Sequence, residues 1–271
     1  MISDIQLQEQ QVSEAFSRQS VVFDDIYETN PITLWMRNKF RNEVLRFIKP
    51  GDPILELNCG TGIDTLFFAQ KGYKILATDN SAGMLERLSE KISKNGLQHL
   101  ISIGKHSFND LAGMAGRKFG YIYSNFGGLN CTDDLAKFLK DIDNLLLPGG
   151  YFTFTIMPKV CPWEMLEFFK SRKEVAFRRF KKDGAMAHIE GVYFKCYYYN
   201  PSFIIKNMGK KYRLSALTGL ASFVPPPSME HFPGKYPKLF SLLKKIEEPV
   251  CRIFPFNRWC DQYVITMQKM K

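Results

Sequence analysis

The chain has little that would staple, anchor or export it. Its six cysteines, Cys59, Cys131, Cys161, Cys196, Cys251 and Cys260, are scattered through 271 residues with no CxxC pair. That pattern disfavours a zinc site and a disulfide framework, and predicts reduced, mostly buried thiols and no metal. No apolar run approaches the roughly 18 residues of a membrane helix; the longest, Leu145 to Met157, is cut by Pro148-Gly149-Gly150. The opening MISDIQLQEQQ has neither the basic start nor the apolar stretch of a secretory signal, so a cytoplasmic location is expected. There is no internal repeat and no low-complexity tract. With 45% hydrophobic and 24% charged residues, the composition excludes a wholly disordered, collagen-like or disulfide-stapled small protein. The length suits one large domain, or one domain with a sizeable insertion.

Charge is unevenly placed. Up to Pro158 there are 16 basic and 18 acidic residues, and from Lys159 onward 21 basic and 9 acidic, so the net +10 resides in the C-terminal part. Stretches such as Arg178-Arg179-x-Lys181-Lys182 and Lys210-Lys211 suit an anionic small molecule, peripheral contact with an acidic lipid surface, nucleic acid, or plain solvation.

The pattern along the chain divides it into four. Residues 1–50 read as a helical cap, with apolar positions at Ile5, Val12, Phe16, Val21, Val22 and Ile26 and a further helix after the Asn30-Pro31 break. Residues 51–158 alternate strand and helix: strands at Ile54 to Leu57, Lys74 to Thr78, Leu100 to Ile103, Tyr121 to Ser124 and Tyr151 to Met157, with helices between. Ser81 is a plausible N-cap for the helix that runs to Lys94. Such alternation predicts an α/β fold, a doubly wound, mostly parallel seven-stranded sheet. Residues 159–235 read as an inserted α+β lid, with an amphipathic helix from Trp163 to Lys182 and an alternating stretch from Ala187 to Tyr199. Residues 236–271 supply a last helix and strand.

Chemistry concentrates in Ile54-Leu-Glu-Leu-Asn-Cys-Gly-Thr-Gly-Ile-Asp64 and Ile75-Leu-Ala-Thr-Asp79-Asn80. A strand enters a turn whose Gly60 and Gly62 let backbone approach a ligand at the carboxyl edge of the sheet. Asp79, ending the next strand, is placed to take both hydroxyls of a ribose. A dinucleotide fingerprint would require glycine at position 65, where Thr65 stands, and would not place a carboxylate such as Glu56 before the turn. Glu56 can instead accept from an ammonium group. A ribose and an amino-acid tail without a pyrophosphate describe S-adenosylmethionine.

From Phe23 to Met157 the sequence resembles the class I S-adenosylmethionine-dependent methyltransferases, small-molecule type with a ubiquinone and menaquinone methyltransferase-like core. ELNCGTGID, LATDNSAGML, YSNFGGLN and LLLPGGYFTF fall in family order. Asn58 replaces the first glycine of the family's (Asp/Glu)xGxGxG motif, adding a side chain able to bond the cofactor. The resemblance implies a Rossmann-like methyltransferase fold and S-adenosylmethionine as cofactor. Glu56, Asn58, Gly60 and Gly62 would line its methionine and ribose side, Asp79 would bind the ribose, and Asn80 and Met84 would flank the adenine. Ser107 stands where the family often has an acid that reads the adenine amino group, with the apolar Phe108 beside it. Asn125 would face the transferable methyl, and Phe23-Asp24 occupies the family's YD segment, which folds over the cofactor.

Methyl transfer to a poorly acidic acceptor requires a base, and His188, His231, His106 and the Tyr193 to Tyr199 cluster, Tyr197 included, are candidates. Aromatics beside cations after residue 157 suit a small amphipathic or anionic acceptor. The same mixture would suit an RNA or DNA substrate, although Ser124-Asn125-Phe126-Gly127 lacks the NPPY-type tetrad of nucleic-acid amino-methylating enzymes. A NAD(P)-dependent oxidoreductase and a non-catalytic cofactor-binding scaffold are the remaining alternatives.

Overall fold

The computed structural model describes residues 4–114 and 116–271. Three helices lead in: α1 (Asp4–Gln19), α2 (Phe23–Thr29) and α3 (Pro31–Leu45). Asn30 caps α3 through its side-chain oxygen, which accepts from the Ile32 and Thr33 amides at 3.0 and 3.2 Å, while Pro31 occupies the first turn, where no amide is needed. The alternation then runs β1 (Ile54–Leu57), α4 (Ile63–Ala69), β2 (Ile75–Asp79), α5 (Ala82–Asn95), β3 (Ile101–Lys105), β4 (Phe119–Ser124), α6 (Leu135–Leu145) and β5 (Leu146–Ile156). The Ser81 cap forms as expected, its hydroxyl accepting from the Met84 amide at 3.2 Å, and Gly96 closes α5 at a left-handed φ of 67°.

Beyond β5 come two short helices, α7 (Pro162–Met165) and α8 (Lys173–Phe177), a hairpin of β6 (Ala185–Ile189) and β7 (Val192–Cys196), and α9 (Pro201–Met208). The chain ends with β8 (Tyr212–Leu220), α10 (Phe232–Lys235), α11 (Pro237–Val250) and β9 (Gln262–Lys269). The seven-stranded sheet has the order β3-β2-β1-β4-β5-β9-β8, with β9 antiparallel to both its neighbours and the other pairings parallel. β1 and β4 are buried along their whole length, as continuous apolar strands covered on both faces must be. One face packs Phe138 and Ile142 of α6 against Ile122, Phe152 and Phe154; the other packs Met36, Phe40, Phe68 and Leu88 against Ile54, Ala77 and Tyr123.

Three expectations are corrected here. The single helix over Trp163 to Lys182 is broken, because Ser171 takes a left-handed φ of 61° after a 3₁₀ turn and ends it. The alternating stretch to Tyr199 is a hairpin turned at Glu190-Gly191, both at positive φ, the geometry that suits the right-handed twist of paired strands. Of the stretch 159–235, β8 belongs to the main sheet. The hairpin instead packs Val192 and Phe194 on Ala15, Val12 and Phe16 of α1.

Candidate active site

The strand order reverses between β1 and β4, so the loops after β1, β2 and β4 diverge at the carboxyl edge and leave a crevice there. α1 and α2 roof it, making a cavity lined from above by Glu9, Val12, Ser13, Phe16, Phe23 and Tyr27, and from below by the strand ends.

The turn after β1 is held by its neighbours. Asn58 sits at φ 47°, the left-handed region that asparagine tolerates, which is how it stands where the motif has glycine. Its amide donates to the Asn125 carbonyl at 2.8 Å and accepts from the Ser124 hydroxyl. Both groups therefore tie the turn to β4, although the residue lines the cavity. Gly60 donates its amide to Asp79 Oδ2 at 2.9 Å, and the Phe23 ring lies 3.4 Å from where a Gly60 Cβ would stand. Gly62 is not at the cavity wall: it caps α4 at φ 83°, and a Cβ there would come within 2.2 Å of Leu88. The structure gives it a packing role at the start of α4.

Asp79 is half-buried, with Oδ1 accepting from the Ser81 amide and Oδ2 from the Gly60 amide, each at 2.9 Å. Burial pushes its carboxyl up, against the opposing pull of these backbone hydrogen bonds. Asn80 and the buried Met84 also line the cavity, as do Ser107 and Phe108 of the loop after β3. Phe108 is fixed edge-on against Phe138, with ring centroids 5.7 Å apart.

Beneath the turn lies a charged layer. Glu56 is buried, and its Oε2 accepts from Thr65 Oγ1 at 2.5 Å and Tyr123 OH at 2.9 Å. Burial first, then the neighbouring Asp64 carboxylate, pushes Glu56 up to about 8. Asp64 accepts from Arg37 at 2.5 Å, Arg41 at 2.7 Å and the Asn125 amide at 2.8 Å. Asn125 Oδ1 in turn accepts from Thr155 at 3.0 Å and from the Phe126 amide at 2.8 Å. The Asn125 side chain thus serves the framework, while the residue also lines the cavity. Arg37 lies over the Phe126 ring at 4.5 Å, lines the cavity, and keeps a buried Nε with no partner among the described residues.

His188, His231 and Tyr197 are not brought to this cavity. His188 stands exposed on β6 against Tyr193, His231 is exposed beside Glu230, and Tyr197 lines a separate groove with Lys159, Lys182 and Lys195. Of the histidines considered, only His106 reaches the cavity wall. Residue type alone marked the first three; the hairpin carries His188 and Tyr197 away, and His231 lies at the start of α10. Sequence reasoning missed Glu9, Ser13, Tyr27, Arg37, Asp64, Cys131 and Thr132 as lining residues. Arg37 and Arg41 are four apart on α3 and so share the face that meets Asp64, but that spacing does not say which sheet edge the face will reach.

Among the described residues, Cys161, Glu164 and Asp261 are close enough to share a metal ion. Arg179 already binds both acids at 2.7 Å. Burial would raise the Glu164 carboxyl, but hydrogen bonds from Arg178 and Arg179 outweigh it and hold it near about 2. Guanidinium groups occupy the role a cation would fill.

The cavity fits S-adenosylmethionine better than a dinucleotide. Its lining holds the acidic residues Glu9, Asp64 and Asp79, and the protonated Glu56, against one arginine that is already paired with Asp64, which leaves no free cation among the described residues for a pyrophosphate. Arg37 on the lining suits the α-carboxylate of an amino-acid tail, and Asp79 retains lone pairs for ribose hydroxyls.

Residues 54–150 match the family described as "Methyltransferase domain". The chain is 27% identical over 146 residues to the demethylmenaquinone methyltransferase of Bacteroides fragilis, covering 52% of this chain and 58% of that one. It therefore spans a little over half the length of that curated relative. In three dimensions it resembles the cyclase SpnF, with a TM-score of 0.64 at 13% identity over 97% of this chain and 96% of that one. It also resembles a Listeria monocytogenes protein described as an S-adenosylmethionine-dependent methyltransferase, with a TM-score of 0.58 at 15% identity over 87% and 100%. At these identities the likeness is one of fold. The fold is that of the class I S-adenosylmethionine-dependent methyltransferases, and residues 54–150 match a methyltransferase domain within it.

Proposed function

We propose that the protein transfers a methyl group from S-adenosylmethionine to a small amphipathic or anionic acceptor. The observation that carries the reading is the pairing of Asp79 with the Gly60 amide beneath Phe23, in a cavity that Arg37 also lines. Asp79 would hold the ribose, Met84 and Phe108 would sandwich the base, and Glu56 and Arg37 would take the ammonium and carboxylate of the tail. The cofactor supplies a methyl already activated by a sulfonium, so the protein's task is orientation and exclusion of water. α1, α2 and the hairpin packed on α1 perform the exclusion. Tyr27 and Phe126, 5.9 Å apart in an edge-on pair, would orient an apolar acceptor beside Asn125.

An anionic acceptor is supported by the second groove, where Lys159, Lys182, Lys195 and Lys206 stand around Tyr197, Tyr199 and Phe203. The groove and the cavity meet across Thr132 and Asp133, which line one and the other. The Bacteroides relative is named for demethylmenaquinone, and we extend to this chain only the class of acceptor, a small organic molecule.

Calorimetric titration with S-adenosylmethionine, S-adenosylhomocysteine and NADPH, repeated on Asp79→Ala, tests the cofactor. Binding of the first two that is lost in the variant supports the reading. Binding of NADPH alone overturns it. Methyl-donor consumption with phenolic acids but not with RNA would then separate the small-molecule reading from the nucleic-acid one.

A further inference from the structure

We infer that Glu9, on the roofing helix α1, is the residue that recognises the exocyclic amino group of the adenine, an assignment that rests on the cofactor reading above. Glu9, Val12, Ser13 and Phe16 recur at helical spacing and together form the strip of α1 that lines the cavity. Val12 and Phe16 are apolar and also pack on the hairpin, and the Ser13 hydroxyl donates to the Asn80 carbonyl at 2.9 Å. Glu9 is the polar member of the strip that retains capacity toward the cavity. It accepts from the Ser107 hydroxyl, and no lysine, arginine or histidine among the described residues pairs with it. One hydroxyl proton leaves a carboxylate with several open lone pairs. A half-buried carboxylate that lines the cavity without an ion-pair partner among the described residues is complementary to a neutral N–H donor.

Its position selects which donor. Asp79 pairs in register with Lys105, and the His106 amide donates to the Asp79 carbonyl at 3.2 Å, so Ser107 leaves the sheet directly beside the ribose carboxylate. Met84 and Phe108 both line the cavity, apolar surfaces suited to a flat ring. Glu9, joined to Ser107, lines the same cavity. A 6-amino purine presents two N–H groups there, whereas a 6-oxo purine presents an oxygen that the carboxylate repels. Glu9 thus supplies from another element the negative charge that Ser107 does not carry, and Ser107 orients it.

The test is a ratio. Wild type and Glu9→Gln are titrated with S-adenosylhomocysteine and with S-inosylhomocysteine, its 6-oxo counterpart. Wild type is expected to prefer the adenosyl ligand by about ten- to a hundredfold, the scale of one charge-assisted hydrogen bond against a mismatched one. Glu9→Gln is expected to shrink or invert that preference, because its amide can donate to the 6-oxo group. If Glu9 merely pins α1, both ligands weaken together and the ratio is unchanged, which overturns the inference. Wild type that binds neither ligand overturns the cofactor reading itself. Ser107→Ala, which keeps the carboxylate, should retain most of the preference and guards against a folding defect in the first variant; a ratio lost in Ser107→Ala but kept in Glu9→Gln also overturns the assignment.

Discussion

Two arginine and carboxylate clusters of nearly the same chemistry stand in different parts of this molecule. In one, Arg37 and Arg41 of α3 converge on Asp64 beneath the cavity; in the other, Arg178 and Arg179 converge on Glu164 and Asp261, joining the segment after β5 to β9. Both are largely buried. What separates them is their surroundings: the first shares Asp64 with Asn125, lies beside Glu56 and reaches the cavity wall, whereas the second is enclosed and donates to the Pro158 and Asp261 carbonyls. Burial of charge therefore does not by itself mark a functional site, and contact with the crevice does.

The sharpest way to break the comparison is to remove one arginine from each cluster. Arg179→Ala leaves Glu164 and Asp261 buried without their shared partner and should lower stability by about 3 to 5 kcal/mol in urea unfolding. Cofactor affinity of the folded fraction should be unchanged. Asp79→Ala should act mainly on binding, weakening S-adenosylhomocysteine at least about a hundredfold by calorimetry through loss of two charge-assisted hydrogen bonds, with a smaller loss of stability than Arg179→Ala as the Gly60 and Ser81 amides lose their acceptor. Arg37→Gln should fall between them. Asp64 keeps Arg41, so the fold survives, while affinity for S-adenosylhomocysteine drops about tenfold and affinity for its decarboxylated analogue does not.

Glu56 refines the contrast through pH. The folded chain holds its proton up to about 8, whereas an unfolded chain releases it near 4.5. The unfolded state therefore binds fewer protons between these values, and the contribution of Glu56 to stability is full below about 4.5 and is lost as pH rises toward 8. Glu56→Gln should flatten the decline in urea midpoint between pH 5 and 8. A decline as steep as that of wild type would show that the carboxyl is already ionised in the folded chain.

Much of this could be read beforehand, and the boundary has a physical basis. The five parallel strands, the turn at Gly60 and the carboxylate of Asp79 follow from local pattern: apolar runs bounded by glycine, and a side chain at a strand end whose position is fixed by the sheet. The lining residues Glu9, Arg37 and Asp64 were not legible, because a helix declares its apolar face but not which sheet edge that face will meet. Gly62 and Asn125 belonged to the right motifs, yet Leu88 and Asp64 determine what they touch. The break at Ser171 and the turn at Glu190 both rest on positive φ at residues that do not advertise it. The histidines misled because an imidazole carries the same chemistry on an exposed strand as in a crevice.

One contact of α1 has a consequence for the molecule in solution. The Gln8 amide donates to the Lys195 carbonyl at 2.8 Å and accepts from the Lys195 amide at 3.0 Å, so a single side chain occupies the outer edge of β7 as a neighbouring strand would. An open strand edge is a template for pairing with another chain. Any motion that lifts α1 to admit a ligand uncovers that edge, so the molecule's readiness to open and its tendency to self-associate are linked, and crowded, ligand-poor conditions should favour clumping where saturating ligand suppresses it.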